Sequence, residues 1–381
     1  MKIGAFIAEF NPLHAGHKHL IDTVKAENDG VLGIISGNFV QRGECAIFEK
    51  YDRANAAAAN GVDLILELPA LYALSSAEGF AKGGVEILDK CGVVDTLYFG
   101  SECGDINALT KCADVLSDEN EVFSRTLSEK LSDGMNFPSA RQAAAEAVIG
   151  EASVLSEPNN ILAIEYIRAI KKLGSEIVPS TILRLGDGYN DKTVNSEIPS
   201  ASAVREKLRK GEDIKKYMLY NYETSPVFMK DFDIIVASRL KAAEREELML
   251  LPDCNEEIAS RLTEASKFNS FGEIVQYAAC RRYTQSRIRR VLCNMIIGNH
   301  LKEYISPTYI RPLAFNEKGS EILRIMKKSA DLPIASRGAS AKDDTIFQLE
   351  CRATDVYNLV RGIEGGKEFS AVAGIFKPAE N

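Results

Sequence analysis

Apolar residues crowd into near-continuous runs at 3–10, 31–35, 62–68, 93–99 and 177–183, and most of the stretches between these runs carry apolar residues at helical spacing. Short unbroken apolar runs bounded by turn formers are the pattern of strands buried on both faces, and the intervening periodicity is that of helices. The first run ends in a loop and predicts a helix over 14–26. The second ends at Ser36-Gly37-Asn38 and precedes a helix over 51–59. Pro69 closes the third, a helix over 78–88 follows, and Gly100 ends the fourth. Three helical stretches come next, the last opening at Pro158 and running to about 172, ahead of the fifth run. This alternation predicts an α/β fold, a doubly wound parallel sheet covered by helices.

From residue 202 the pattern turns helical. A helix over 203–209 leads into the charged stretch KGEDIKKY, read as a domain junction, and further helices are predicted over 256–265, 271–277 and 284–297. Residues 329–344 are rich in turn formers, and no internal repeat or low-complexity tract occurs. A length of 381 residues, at roughly 150 per domain, fits two units, placed at 1–215 and 216–381 with the second mainly helical.

Composition narrows the class. With 45% apolar and 26% charged residues the chain is an ordinary globular protein, which excludes a disordered or membrane class. The opening stretch MKIGAFIAEFNPLH carries Lys2, an early Glu9 and no apolar run long enough for a signal or membrane helix, so a cytoplasmic location is expected. Eight cysteines are scattered without a C-x-x-C pair, which argues against disulfides and against a cysteine zinc site. The net charge of −8 is uneven: residues 1–215 hold 22 Lys+Arg against 32 Asp+Glu, and residues 216–381 hold 24 against 22. The acidic excess lies wholly in the first part.

Candidate chemistry concentrates on the first β-α turn. Three of four histidines, His14, His17 and His19, fall within six residues after the first predicted strand. Asn11 and Pro12 are expected at the helix start, where free N–H groups and the positive dipole end attract phosphate, and Gly16 allows close approach. His14 and His17, three residues apart on one helical turn, project to the same side and suit stabilisation of charge on a phosphoryl group. A pair of histidines without a ligand and a zinc site completed by His300 or a carboxylate are the alternatives. A second element, Ser200-Ala-Ser202-Ala-Val-Arg205, begins a helix after the fifth run. Its hydroxyls and Arg205 suit the β- and γ-phosphates of a nucleotide, although serine caps are common.

His14-Ala-Gly-His17 together with Ser200 to Arg205 resembles the H-x-G-H and I-S-x-T-x-x-R pair of the nucleotidyltransferase superfamily, a Rossmann-like fold of the HUP type. More narrowly, GAFIAEFNPLHAGHKHLI, ISGNFVQRGE, SSAEGFAKGGVEIL, YFGSE, EPNNILAIEYIRAI and TILRLGDGYND, taken in order, resemble the tRNA(Met) cytidine acetate ligase family. RRYTQSRIRRVL and RPLAFNEKG extend the likeness into the second half. The resemblance implies a carbon–nitrogen ligase that consumes ATP to AMP and diphosphate. It activates acetate as acetyl-adenylate and forms N4-acetylcytidine at the wobble position, C34, of elongator tRNA(Met). ATP, with Mg²⁺ accompanying it, acetate and that tRNA are the implied partners; a protein-held metal, DNA and a membrane are not expected.

Carried onto this chain, the family's ATP-binding residues fall on Ile7, Ala8, Glu9, Phe10, Asn11, Pro12, Leu13, His14, Ala15, Gly16, His17, Lys18, His19 and Leu20, then on Gly100, Asn159 in preference to Asn160, Arg184, Ser202 and Arg205. His14 and His17 are the expected catalytic pair. The chain departs from the pattern at Cys45, where proline is expected, at Asn190, where histidine is expected, and at Ser202, where threonine is usual and the hydroxyl is kept. The tRNA is assigned to Arg281, Arg282, Arg287, Arg289 and Arg290, five arginines in ten residues interleaved with Tyr283, read as a basic helix surface. Lys207, Arg209, Lys210, Lys215 and Lys216 form a weaker second patch among acidic neighbours. A small-molecule adenylyltransferase would share both phosphate motifs without needing residues 216–381, and a non-catalytic RNA-binding protein would not need the histidine pair.

Overall fold

The computed structural model of the chain describes residues 1–118, 120–150, 152–184 and 200–377. Nine strands are present among them: β1 (Ile3–Ala8), β2 (Gly30–Ser36), β3 (Phe39–Val40), β4 (Glu44–Cys45), β5 (Leu64–Leu68), β6 (Thr96–Ser101), β7 (Val178–Leu183), β8 (Pro312–Phe315) and β9 (Gly374–Ile375). Seven form one sheet in the order β7-β6-β1-β2-β5-β8-β9, and β3 and β4 make a separate antiparallel hairpin. The five strands read from the apolar runs are mutually parallel. The doubly wound expectation therefore holds.

Alternation along the strands sets the two layers. Ile3, Ala5, Ile7, Leu97 and Phe99 face one core, which takes in the helices Ala77–Lys90, Ile106–Ser117 and Pro158–Leu173. Phe6, Tyr98, Val31 and Ile35 face the other, packed by the helices Ala15–Glu27 and Lys50–Ala59. A third core gathers the helices Asp233–Ala242, Glu256–Ala265, Phe271–Ala278 and Gln285–Ile296 around Val236, Leu262, Ile274 and Val291, and includes Phe39 and Cys45 of the hairpin.

The last part of the chain is not purely helical. β8 pairs antiparallel with β5, and β9 pairs with β8, so segments beyond residue 309 return to the first sheet. Buried charge holds that return in place. Lys50 Nζ, fully buried, meets Glu67 at 2.6 Å, Glu350 at 3.0 Å and Glu368 at 2.9 Å, and Arg311 pairs with Glu368. Removing one member of such a cluster strands charge in the interior.

What positions the site is strand order. Taken by position in the chain, the five parallel strands run fifth, fourth, first, second, third, so the direction of winding reverses between β1 and β6. In open α/β sheets that reversal leaves a crevice beyond the carboxyl ends of the two strands.

Candidate nucleotide site at the switch point

A cleft of about 310 Å³ opens at that reversal, lined among others by Glu9, Asn11, His14, His17, Gly100, Asn159, Arg184, Ser202 and Arg205. Residues separated by almost two hundred positions in the chain thus converge on one opening. Within the stretch 7–20, Ile7, Ala8, Glu9, Phe10, Asn11, His14, His17 and Leu20 line the cleft, whereas Pro12, Leu13, Ala15, Gly16, Lys18 and His19 are not among its lining residues.

The turn after β1 differs from the expected helix start. Phe10 takes a left-handed backbone (φ 47°), unusual for a bulky residue, and turns the chain. The helix begins only at Ala15, because His14 caps it: Gly16 N–H donates to His14 Nδ1 (3.1 Å), and His14 N–H donates to His17 Nδ1 (3.3 Å). Asn11 and Pro12 therefore lie before the helix, with Ile47 N–H donating to Asn11 Oδ1 at 2.9 Å. The cap has a chemical consequence. A ring nitrogen that accepts a hydrogen bond carries no proton, so both neutral imidazoles hold theirs on Nε2. The two rings lie 3.9 Å apart, centroid to centroid, tilted by 33°.

Both rings stay neutral near pH 7. Burial, with Arg184 and Arg205 beside it, lowers His14 to about 3. Burial, His14 and Arg184 lower His17 as well. The histidines are thus paired Nε2–H donors, while positive charge in the cleft comes from guanidinium groups. Arg205 is held in position by its bonds to the Asn11 carbonyl (2.8 Å) and the Ser202 hydroxyl (3.1 Å), and Ser200 caps the helix Ala201–Arg209 through Ala203 N–H. Gly100 leaves room for Arg184, since a Cβ there would lie 3.1 Å from Arg184 Cγ.

Asn159 and Asn160 separate cleanly. Asn160 is buried and its Oδ1 accepts from Glu102 and Cys103 N–H, a structural role, while Asn159 lines the cleft with its amide on Glu102. Glu102 in turn accepts from Asn160 N–H and anchors the helix Pro158–Leu173. Cys45 is buried in β4 against Val227, a small apolar filler. Asn190 lies outside the described residues.

Several cleft residues carried no assignment from sequence: Gln41, Arg42, Phe80, Phe99, Leu162 and Tyr166. Gln41 and Arg42 sit at the tip of the β3–β4 hairpin, where Gln41 N–H donates to Glu9 Oε1 (2.8 Å). The block ISGNFVQRGE was their only signal. Burial raises the Glu9 carboxyl despite Gln41 N–H, Arg205, Arg42 and Arg53. Arg53, also unread, is buried and donates to the carbonyls of Phe48, Glu9, Ser36 and Gly37, tying the ends of β1 and β2 together.

The arginine segment is arranged otherwise. Thr284 caps the helix Gln285–Ile296 through Arg287 N–H, so Arg281 and Arg282 precede that helix. Arg282 pairs with Glu257 at 2.9 Å, Arg287 Nε donates to the Asp253 carbonyl (2.9 Å), Arg289 pairs with Glu44, and Arg290, buried, pairs with Asp253 at 2.8 Å. Tyr283 is buried and donates to Glu257, so it offers no stacking face. In the second patch Lys207 pairs with Glu212, and Arg209 and Lys210 with Glu206. The hairpin abuts the arginine helix: Gly43 has φ 72°, and a Cβ on it would fall 2.3 Å from Arg290 N.

Among the described residues no three His, Cys, Asp or Glu side chains converge as metal ligands, and no helix is long and apolar enough to cross a membrane.

A Rossmann-type strand order with a His-x-Gly-His pair and an arginine-bearing helix at its switch point defines a nucleotidyltransferase, and the HIGH Nucleotidyl Transferase family model matches residues 1–368. A tRNA(Met) cytidine acetate ligase of Thermoanaerobacter sp. (strain X514) is 38% identical over 94% of this chain and 95% of its own length. One of Clostridium perfringens is 36% identical over 94% and 96%. The chain belongs to the tRNA(Met) cytidine acetate ligase family. Its fold matches the crystal structure of apo Thermotoga maritima TmcAL with a TM-score of 0.91 and 30% identity, covering 99% of this chain and 100% of that one. The same enzyme bound with alpha-thio ATP matches with a TM-score of 0.85 at 29% identity, over 98% and 97%.

Proposed function

We propose that this chain is an ATP-dependent ligase that activates acetate as acetyl-adenylate and forms N4-acetylcytidine at C34 of elongator tRNA(Met). The observation that carries the reading is the convergence of His14, His17, Gly100, Asn159, Arg184, Ser202 and Arg205 on one cleft at the sheet's switch point. The names of its relatives supply the acceptor.

In the first step an acetate oxygen attacks the α-phosphorus of ATP, the bond to the bridging oxygen breaks, and diphosphate leaves. Donors aimed at developing charge are the protein's main lever in phosphoryl and nucleotidyl transfer. His14 and His17, neutral and carrying Nε2–H, donate to the phosphoryl oxygens. Arg205 and Ser202 hold the departing diphosphate, Arg184 adds positive charge beside the histidines, and Asn159 and Gly100 border the nucleotide. Mg²⁺ enters with ATP, bound to the phosphate oxygens of the substrate. In the second step the cytidine amine attacks the acyl carbon, the carbon–oxygen bond to AMP breaks, and the nitrogen sheds one proton.

Residues 1–215 carry the catalytic function and residues 216–381 the main tRNA surface in this proposal. Among the five assigned arginines, Arg281 is exposed and faces the RNA, Arg282, exposed but paired with Glu257, borders that surface with Arg287 and Arg289, and Arg290 serves the fold.

The test is transfer of labelled acetate, with ATP, to elongator tRNA(Met) and to other tRNAs. Transfer confined to the first, and lost in His17→Ala, is expected. ATP turnover on a small metabolite, with no label in any tRNA, would point to an adenylyltransferase instead.

A further inference from the structure

We infer that the floor of the cleft is the acetate seat, with the Tyr166 hydroxyl donating to the carboxylate and the methyl group lying against Phe80, Phe99 and Leu162. This rests on the ligase reading and adds to it the residues that select the acid.

The floor is built by three elements on the face of the sheet opposite the histidine helix. The helix Pro158–Leu173 turns Asn159, Leu162 and Tyr166 toward the cleft, at the three- and four-residue spacing that places them on one side. Phe80 comes from the helix Ala77–Lys90, and Phe99 from the end of β6, its ring 5.7 Å from that of Tyr166. Both phenylalanines are buried apart from what they give the cleft.

Tyr166 is the odd member. It is 2% exposed, and its hydroxyl has no hydrogen-bond partner. A buried hydroxyl without a partner is costly, and buried polar groups in folded proteins are nearly always paired. Tyr166 lines the cleft while its hydroxyl is shielded from solvent, so a ligand that settles among the surrounding rings would satisfy this unpaired donor. Burial and the nearby Glu9 push the phenol upward, so it keeps its proton. The group it suits is an acceptor at the end of a small apolar body, which describes a short carboxylic acid.

Charge permits the same ligand. Glu9 would repel a second carboxylate if it stood alone, but Arg205, Arg42 and Arg53 all act on it. The site's size sets the chain length. In the proposed seat the methyl group lies against the two rings, and because Phe80, Phe99 and Tyr166 belong to the packed core, a longer acid has to displace packed side chains. With one carboxylate oxygen held by Tyr166, the other remains free to attack phosphorus, since Tyr166 and the histidines line one cleft of about 310 Å³.

The experiment uses the full-length enzyme with ATP and elongator tRNA(Met), measuring acetylation as acetate and ATP are varied. For Tyr166→Phe, which keeps the ring, KM for acetate rises about tenfold or more while KM for ATP stays within twofold. For Phe80→Leu, the ratio of kcat/KM for propionate to that for acetate rises about tenfold. An unchanged KM for acetate in Tyr166→Phe overturns the seat, as does an equal rise in both KM values, which marks a structural role. If the wild-type enzyme acylates no tRNA from acetate, the ligase reading itself falls.

Discussion

The cleft and the segment 281–290 are both dense enough in polar residues to stand out along the chain, yet the fold treats them in opposite ways. At the cleft, the cap turns the Nδ1 atoms of His14 and His17 inward and leaves Nε2–H of each for a ligand. In the arginine segment most guanidinium groups are taken by the protein itself, Arg290 by Asp253, Arg289 by Glu44 and Arg282 by Glu257. A cluster in sequence therefore marks a ligand surface only where internal partners are withheld. The acids that claim the arginines lie 25 to 245 positions away, which no local pattern displays.

The contrast can be broken from either side. Removing a cleft donor should strike activity and spare the fold: His17→Ala lowers acetate transfer by about 10²–10³ with an unchanged circular dichroism spectrum. Removing a claimed arginine should do the reverse. Arg290→Ala leaves Asp253 without its partner and costs roughly 2–3 kcal/mol in denaturant unfolding, with the salt dependence of tRNA binding unmoved.

Acid sharpens the comparison at the cleft. His14 is lowered to about 3 in the folded chain, so between that value and the ordinary value of 6.5 the unfolded chain binds more protons. The contribution is complete above pH 6.5 and is lost as pH falls toward 3, at about 1 kcal/mol per pH unit from this residue. His14→Asn should make unfolding between pH 7.5 and 5 less acid-sensitive than in the wild type; an equal acid sensitivity would contradict the burial of a neutral ring. The smallest effect belongs to the exposed arginine: Arg281→Ala reduces the salt slope of tRNA binding by about 1. An unchanged slope moves the RNA surface away from this segment.

These differences also explain what the chain reveals to a reader of its sequence. Four of the five parallel strands announce themselves because burial on both faces demands unbroken apolar runs, the fifth, β7, being an edge strand exposed at Val178 and Leu183, and the helix Glu256–Ala265 was legible to the residue. β8 spans only Pro312–Phe315 and β9 only Gly374–Ile375, too short for any period to register, so their return to the sheet was invisible. The histidine pair was legible because clustering on a β-α turn is rare in composition terms. The helix predicted over 14–26 runs from Ala15 to Glu27, but Asn11 and Pro12 lie before its start rather than at it, since the His14 imidazole takes the place of the usual hydroxyl or carboxylate cap. Arg42, Phe80 and Tyr166 fall inside blocks of the family resemblance, but they reach the cleft only through tertiary packing, so no local pattern singles them out within those blocks.

The central claim, that this cleft joins acetate to the α-phosphorus of ATP before the tRNA is acylated, is tested most directly by the fate of acetate oxygen. With acetate labelled in both oxygens by ¹⁸O, the account predicts that the AMP released during tRNA acetylation carries one labelled oxygen on phosphorus and that the diphosphate carries none. Label in orthophosphate, with ADP in place of AMP, would contradict it.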